Sequence, residues 1–457
     1  MKIFLTNSPF RWYFTTCFNH PDWGALNLAQ LAAMVPEHEI KILDNWSANW
    51  KLWGFNKILK NMERFCPDVV GISNSTDGDT ESVAETARQI RKKFPNIILL
   101  TGGQSATVNY EYLLKYFDFV IMGEGEYTFK ELIEKLDKGE SCDIKGLAYL
   151  KDSRVVITEP RPFANLDDLP SPARKYQPRL KSIYFPGRYS SEIETSRGCP
   201  YGCEYCSITA FYKRTWRKKS NEKIMAEFRE IKKLGASQVY FIDDSFGINA
   251  KEYTQLLQSM ISEKLDIKWY TQIRADVIAN NPQMIELAAK SGMFCAMVGF
   301  ESYSDNVLKE VGKVSSREIN FRCSEILRKN KIVVWGAHIF GLPGQTEKDH
   351  REIYKYGRKN SDIFRLSIFS PIPGTPAFEK YGVKLYKERQ YVHAYGVQGI
   401  NRMKFFLYVF RYTFSPFTFF GLFMGNKISR RIKLQSYLTN FRYGIYFILR
   451  KLGIKIL

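Results

Sequence analysis

Five short apolar runs punctuate the first 140 residues, at 2–6, 39–43, 68–73, 96–101 and 117–122, each too short for a helix. Between them, at 25–34, 54–65, 80–93, 110–115 and 127–136, apolar residues return at every third or fourth position. Strands alternating with amphipathic helices predict a parallel sheet covered by helices. A doubly wound sheet of this kind holds its ligands beyond the carboxyl ends of its strands. The segments at those ends are polar and rich in glycine: 73–76 (SNST), 102–107 (GGQSAT) and 123–126 (GEGE). Taken alone, they fit turns that use glycine's freedom at positive φ as well as they fit a nucleotide-like ligand.

Residues 141–190 break the alternation. A hairpin at 146–149 and 155–158 precedes a Pro-rich stretch from Pro160 to Pro178, which marks a boundary. From 191 the rhythm resumes, with strands near 193 and at 239–242, 268–273, 296–299, 333–340 and 364–369. Six units suffice for a partial (β/α)6 barrel, whose chemistry belongs at the C-terminal ends of its strands. The expected divisions are 1–140, 141–190, 191–385 and a helical, basic, aromatic tail at 386–457.

Charge changes the picture only in that tail. The 457 residues carry a formal charge of +20, and eleven basic residues fall in 401–457, where there is no Asp or Glu. An excess of this sign fits a nucleic acid or an anionic membrane. The run 403–424 is long enough to span a bilayer, but Lys404, Arg411, Pro416 and its many phenylalanines suit a helix lying on an anionic surface better. A helical layer packed on the barrel is the alternative, and the phenylalanine runs are too apolar for a solvated nucleic-acid groove. No charged and then apolar leader opens the sequence, and the single cysteines Cys17, Cys66, Cys142, Cys295 and Cys323 form no disulfide framework. Both features lead to the expectation of a cytoplasmic protein, at most touching the inner face of the membrane.

The strongest chemistry lies in the segment 196–207 (SRGCPYGCEYCS). Cys199, Cys203 and Cys206 gather three soft sulfur ligands in one loop with Gly198 and Gly202, a set suited to three irons of a cubane cluster with the fourth iron open. Structural zinc competes, although tetrahedral zinc takes four ligands, usually as two separated pairs. No second pair follows.

This C-x3-C-x2-C spacing, with Tyr205 before its last cysteine, resembles the signature of the radical S-adenosylmethionine (SAM) enzymes. The order of the first 140 residues, down to the paired glycines after the fourth strand and MGEGE at the fifth, resembles the cobalamin-binding domain that precedes many of them. The resemblance implies a flavodoxin-like cobalamin domain ahead of a radical SAM barrel, with a [4Fe-4S] cluster, SAM and cobalamin as cofactors. It implies that Cys199, Cys203 and Cys206 hold the cluster and that Tyr205, Asp243, Asp244, Arg274, Glu301 and Ser302 meet SAM. Ser73, Ser75, Gly102, Gly103, Gly123, Glu124 and Gly125 would meet cobalamin. Local readings stay open: one of the paired aspartates as a helix N-cap, and Arg274 as a solvated rim charge. The Asp-x-His-x-x-Gly run that supplies a lower cobalt ligand in many cobalamin domains is missing, and His20 lies alone in the long loop 7–24. His338 reads as a core histidine or a proton carrier facing the barrel, and Tyr303 as packing for adenine or substrate. The turns at 341–344 (GLPG) and 371–376 (PIPGTP) match family turns.

The implied reaction begins with an electron from an external flavodoxin or ferredoxin type donor, which cleaves SAM to a 5'-deoxyadenosyl radical. The radical takes hydrogen from an unactivated carbon, and methylcobalamin supplies a methyl group. No catalytic acid or base is assigned. With the aromatic tail, this suggests a hydrophobic substrate such as an isoprenoid, another lipid or a porphyrin precursor. Oxidative cyclisation or carbon–carbon coupling without methyl transfer is the runner-up, and a cobalamin-binding sensor associated with nucleic acid is a third reading.

Overall fold

The computed structural model describes residues 1–9, 24–45, 54–75, 80–182, 184–381, 430, 433 and 434. These form two compact units, one of the described residues up to 180 with 372–381, the other of those from 181 to 371 with 430, 433 and 434. His20 and the tail stretch 403–424 lie outside the described residues, and no helix among the described residues is long and apolar enough to cross a membrane.

The first unit is a seven-stranded sheet of β1 (Lys2–Asn7), β2 (Glu39–Leu43), β3 (Val69–Ser73), β4 (Ile98–Gly102), β5 (Phe119–Ile121), β6 (Leu147–Lys151) and β7 (Arg154–Ile157). Its order is β2-β1-β3-β4-β5-β6-β7. The first five strands are parallel in the flavodoxin-like order 2-1-3-4-5. Val69, Val70 and Leu99 are fully buried, as strands covered on both faces require. Here the structure differs from the expected connector: β6 pairs antiparallel with β5 and β7 with β6, so the hairpin extends the first sheet. Leu147 and Ala148, both fully buried, cover an edge that β5 would otherwise leave open. The 371–376 turn also joins this unit from Ile372 onward, with a Cβ at Gly374 falling 3.5 Å from Val108.

The second unit is the expected partial barrel, here a half-barrel. Its sheet runs β16 (Ile363–Ile368), β15 (Val333–Phe340), β14 (Met293–Glu301), β13 (Lys268–Ile273), β12 (Ala236–Phe246), β9 (Tyr189–Ile193), β8 (Leu180–Lys181). Along this sheet, β9 through β16 pair in parallel. A small ribbon of β10 (Ser196–Gly198) and β11 (Trp216–Lys218) flanks the cysteine loop. Ile193, Val239, Phe241, Trp269, Val298 and Val334 turn one face of the sheet to the helices and form the main core. By strand alternation Glu192, Tyr240, Gln272 and Met297 take the other face. Helix boundaries follow local chemistry: Ser220 caps Asn221–Lys233 through Lys223 N, and Thr346 with Asp349 forms a capping box on Glu347–Asn360.

Candidate active site

The cysteine loop leaves the carboxyl end of β9, and a single carboxylate fixes its start. Asp243, fully buried near the end of β12, accepts hydrogen bonds from Thr195 N (2.6 Å), Ser196 N (3.2 Å), Ser196 Oγ (3.1 Å), the Tyr253 hydroxyl (2.8 Å) and the Thr195 hydroxyl. Burial raises its pKa, and these donors oppose the rise. Its neighbour Asp244 accepts from Gly198 N at 2.8 Å. Burial pushes the Asp244 carboxyl up to about 7, against the Gly198 hydrogen bond and with the help of Glu194 and Asp243 nearby. Gly198 has φ +84°, and a Cβ there would stand 2.3 Å from Thr215 O, so the loop entrance requires glycine.

The loop then rests on residues 311–314. Glu204 N donates to Val311 O at 3.0 Å, and Gly312, at φ +67°, leaves room for Gly202 O, which would lie 2.9 Å from a Cβ. Lys313 Nζ reaches Glu301 Oε1 at 3.3 Å, with both side chains buried. Glu301 ends β14 at φ +61°, a conformation costly for a residue with a Cβ. Gly299 makes space for it, because a Cβ there would be 2.4 Å from Glu301 Oε1. Arg274, at the end of β13, pairs with Asp276 at 2.9 and 3.2 Å and donates to Val314 O at 3.2 Å. Its guanidinium lies 3.4 Å from the centre of the Tyr201 ring, within the cysteine loop.

Cys199, Cys203 and Cys206 are free thiols, the first two buried, close enough that each of the other two acts on Cys199 electrostatically. Burial raises the thiols of Cys199 and Cys206, so in the absence of metal they keep their protons and would release them on ligation. No set of three or more His, Cys, Asp or Glu side chains among the described residues is placed to hold a single ion. A cluster makes no such demand, since each thiolate takes a different iron. Three thiols on one loop, two of them buried and the third half-buried, fit that group.

The six residues singled out for SAM fall into two sets. Asp243, Arg274 and Ser302 turn their polar atoms into the protein; Ser302 is fully buried, its hydroxyl accepting from Ser304 N at 3.2 Å. Tyr205, Asp244 and Glu301 lie at the loop itself. Burial raises the Tyr205 phenol well above its ordinary value, and Glu301, Cys203 and Cys206 add to the rise. Tyr303 requires correction: it is fully buried among Phe340, Ile353, Phe364 and Leu366, on the helix side of the sheet, because β14 ends before it and the chain turns outward. His338 is a satisfied core histidine, 3.1 Å from Arg365 O and stacked on Tyr303, with burial lowering its pKa to about 4. Sequence reasoning missed Thr195, Tyr201, Tyr253, Asp276, Gly312 and Lys313. Only the glycine at 312, just after a short helix, gave any signal.

The first unit offers a different site. Gly103, at φ +117°, brings its backbone against Asn74, where a Cβ would meet Asn74 O at 2.6 Å. Ser73 Oγ and Ser75 Oγ are 3.0 Å apart, and Asn27 Nδ2 donates to Ser73 Oγ at 2.8 Å. Gly102 packs on Ile121, and Gly123 N donates to Thr107 Oγ1 at 3.0 Å. Gly123, at φ +73°, has open space where a Cβ would be. Glu124 accepts from Ala164 N at 2.8 Å, and Gly125 caps the helix Glu126–Lys138. Ser8 Oγ and Asn74 Oδ1, at neighbouring carboxyl strand ends, are buried without a hydrogen-bond partner. A ligand with hydrogen-bonding amides, as cobalamin has, fits such a set.

Residues 193–357 match the radical SAM superfamily, and residues 19–133 match the B12 binding domain. The chain is 31% identical over 364 residues to an uncharacterized methyltransferase of Pyrococcus horikoshii, covering 78% of this chain and 77% of that protein. It is 27% identical over 385 residues to the hopanoid C-3 methylase of Methylococcus capsulatus, covering 83% and 72%. Among solved structures, the cobalamin-dependent S-adenosylmethionine radical enzyme OxsB with aqua-cobalamin and S-adenosylmethionine bound aligns with a TM-score of 0.70 at 17% identity, over 96% of this chain and 72% of that one. That last likeness is one of fold.

Proposed function

Because this chain belongs to the cobalamin-binding radical SAM enzymes, which use a [4Fe-4S] cluster, SAM and cobalamin, we propose that it transfers a methyl group to an unactivated carbon of a hydrophobic substrate. The observation that carries this reading is one chain joining three cysteine thiols, two of them buried, at the mouth of a half-barrel to a glycine-lined sheet of cobalamin type. When bound, the cofactors supply a carbon-centred radical and a transferable methyl group. The protein's work is to bind, orient and exclude water. Cys199, Cys203 and Cys206 hold the cluster. Tyr205, Asp244 and Glu301 face SAM, while Asp243 and Ser302 position the segments that do. Gly102, Gly103, Gly123 and Gly125 let the backbone approach cobalamin, and Ser73, Ser75 and Glu124 shape that surface. On the inner face of the half-barrel, Tyr240 stacks on Tyr270 at 4.7 Å and Met297 stands opposite Gln272, apolar surface suited to the substrate beside the polar Glu192 and Gln272.

An external reductant of flavodoxin or ferredoxin type supplies the electron, and the basic, aromatic tail touches an anionic membrane from the cytoplasmic side. The test is anaerobic reconstitution with iron, sulfide and cobalamin, then incubation with SAM and a reductant. Joint appearance of 5'-deoxyadenosine and S-adenosylhomocysteine is the expected result. The family also includes cyclases, so 5'-deoxyadenosine alone, with a product lighter by hydrogens, would replace methyl transfer by cyclisation. Liposome flotation of the full chain against one ending near residue 399 tests the membrane contact, and equal recovery of both in the soluble fraction removes it.

A further inference from the structure

We propose that Arg274 is a positioning residue for the iron-sulfur loop and not a ligand of SAM: it straps Tyr201 onto the 311–314 shelf and keeps a fixed positive charge beside the cluster thiolates. The inference rests on the three cysteines holding the cluster. It does not depend on methyl transfer.

The groups around Arg274 leave little of it to offer a ligand. Nε and one Nη are taken by the two oxygens of Asp276, at 2.9 and 3.2 Å, and that same Nη donates to Val314 O at 3.2 Å. The Tyr201 ring covers its flat face at 3.4 Å, and the side chain is 9% exposed. A planar cation with a carboxylate at its edge and a ring on its face is an arrangement that lysine cannot reproduce. Tyr201 lies between Cys199 and Cys203 in sequence, so fixing its ring fixes the stretch that joins two of the thiolates. The same shelf receives the loop a second time, through Glu204 N on Val311 O at 3.0 Å. Arg274 is also near enough to Cys199 and Cys203 to act on both electrostatically. A positive charge there favours the reduced, more negative cluster.

The test uses the full chain reconstituted anaerobically with iron and sulfide, as wild type, Arg274→Gln, Arg274→Lys and Tyr201→Leu. Four quantities are read: iron per chain, cluster lifetime under an iron chelator, midpoint potential by electron paramagnetic resonance, and SAM affinity. The strap predicts a cluster lost several-fold faster in all three variants. Arg274→Gln moves the reduction equilibrium about tenfold toward the oxidised form, about 60 mV for one electron. Arg274→Lys keeps the potential but not the lifetime, and SAM affinity of the loaded variants is unchanged. Wild-type cluster lifetime in Tyr201→Leu overturns the strap. So does an Arg274→Gln cluster of normal lifetime and potential with weakened SAM binding, which would make Arg274 a SAM ligand. Circular dichroism and the iron content of Arg274→Lys, which retains the charge opposite Asp276, separate these outcomes from simple misfolding. A wild-type chain that assembles no cluster overturns the cysteine assignment, and the strap with it.

Discussion

At the carboxyl ends of β3, β4 and β5 the chain presents hydroxyls, an asparagine and glycines. At the same ends of β12, β13 and β14 it buries Asp243, Arg274 with Asp276, and Glu301 with Lys313. Apart from Glu124, which is held by Ala164 N, the first set is neutral and works by letting the backbone come close. The second is charged and works by holding loops. A large ligand carrying amides is recognised by shape and by hydrogen bonds to unpartnered atoms, for which rigid glycine turns are enough. A loop that must keep three thiolates in a fixed arrangement needs anchors that cannot slide, and buried charges with several donors are such anchors. Damage should therefore differ in kind: lost cobalamin from the first region, lost stability and lost cluster from the second.

Asp243→Ala breaks this contrast most severely if it holds. Removing the carboxylate leaves the Thr195 and Ser196 N–H groups buried without their acceptor, at a cost of about 4 kcal/mol, while the Tyr253 hydroxyl keeps Ser196 Oγ at 3.1 Å. Urea unfolding should show that loss, and iron content after reconstitution should fall with it. A variant of unchanged stability would mean that the anchor is not one.

His338 sharpens the comparison from the side of the barrel core. Its folded pKa of about 4 lies below the ordinary 6.5, because burial disfavours the imidazolium. As pH falls below about 6.5, the unfolded chain takes up a proton that the folded one refuses until about pH 4. Stability therefore declines through that window, by about 3 kcal/mol, and none of this decline occurs above pH 7. In His338→Gln the decline should be missing, so the difference in urea midpoint between wild type and variant narrows from pH 7 to pH 4.

Gly103→Ala strikes the other region. At φ +117°, and with Asn74 O at 2.6 Å from the new Cβ, the turn must shift, at about 2 kcal/mol locally. Bound cobalamin per chain, read by absorbance after reconstitution, should drop sharply while iron stays at the wild-type level. Loss of both together would deny that the two regions fail independently.

How much of this was legible follows from the range of the forces involved. Strands covered on both faces announce themselves as apolar runs, and β2, β13 and β15 have the bounds that the pattern gives, as do the helices Gly54–Phe65 and Thr80–Lys93. The hairpin of β6 and β7 was legible as a hairpin but not as part of the first sheet, because pairing with β5 is a long-range choice that local propensity does not encode. The cysteines stand out because their ligand chemistry demands close spacing. Their supports do not: Thr195 meets Asp243 across 48 positions, and Lys313 and Asp276 are polar residues of no periodicity. Nor does a glutamate in a sequence signal that it will sit at positive φ, as Glu301 does.

Asp244→Asn is the subtlest probe, because it separates the two jobs that the barrel mouth combines. Burial lifts the Asp244 carboxyl from an ordinary 3.8 to about 7, so the folded chain holds a proton there that the unfolded chain releases. Stability at this position consequently falls as pH rises from about 4 to about 7, and above 7 the full cost of a buried anion is present. An asparagine removes the charge and still accepts from Gly198 N. Its amide brings two new donors into the same space, which offsets part of the relief and leaves a net gain of about 1 kcal/mol at pH 8. If Asp244 is maintained for SAM and not for the fold, the variant unfolds at higher urea, loads its cluster normally and binds SAM weakly. A variant that is both less stable and poor in iron would instead make Asp244 a second anchor of the loop, like Asp243, and would move the line between holding and binding one residue along β12.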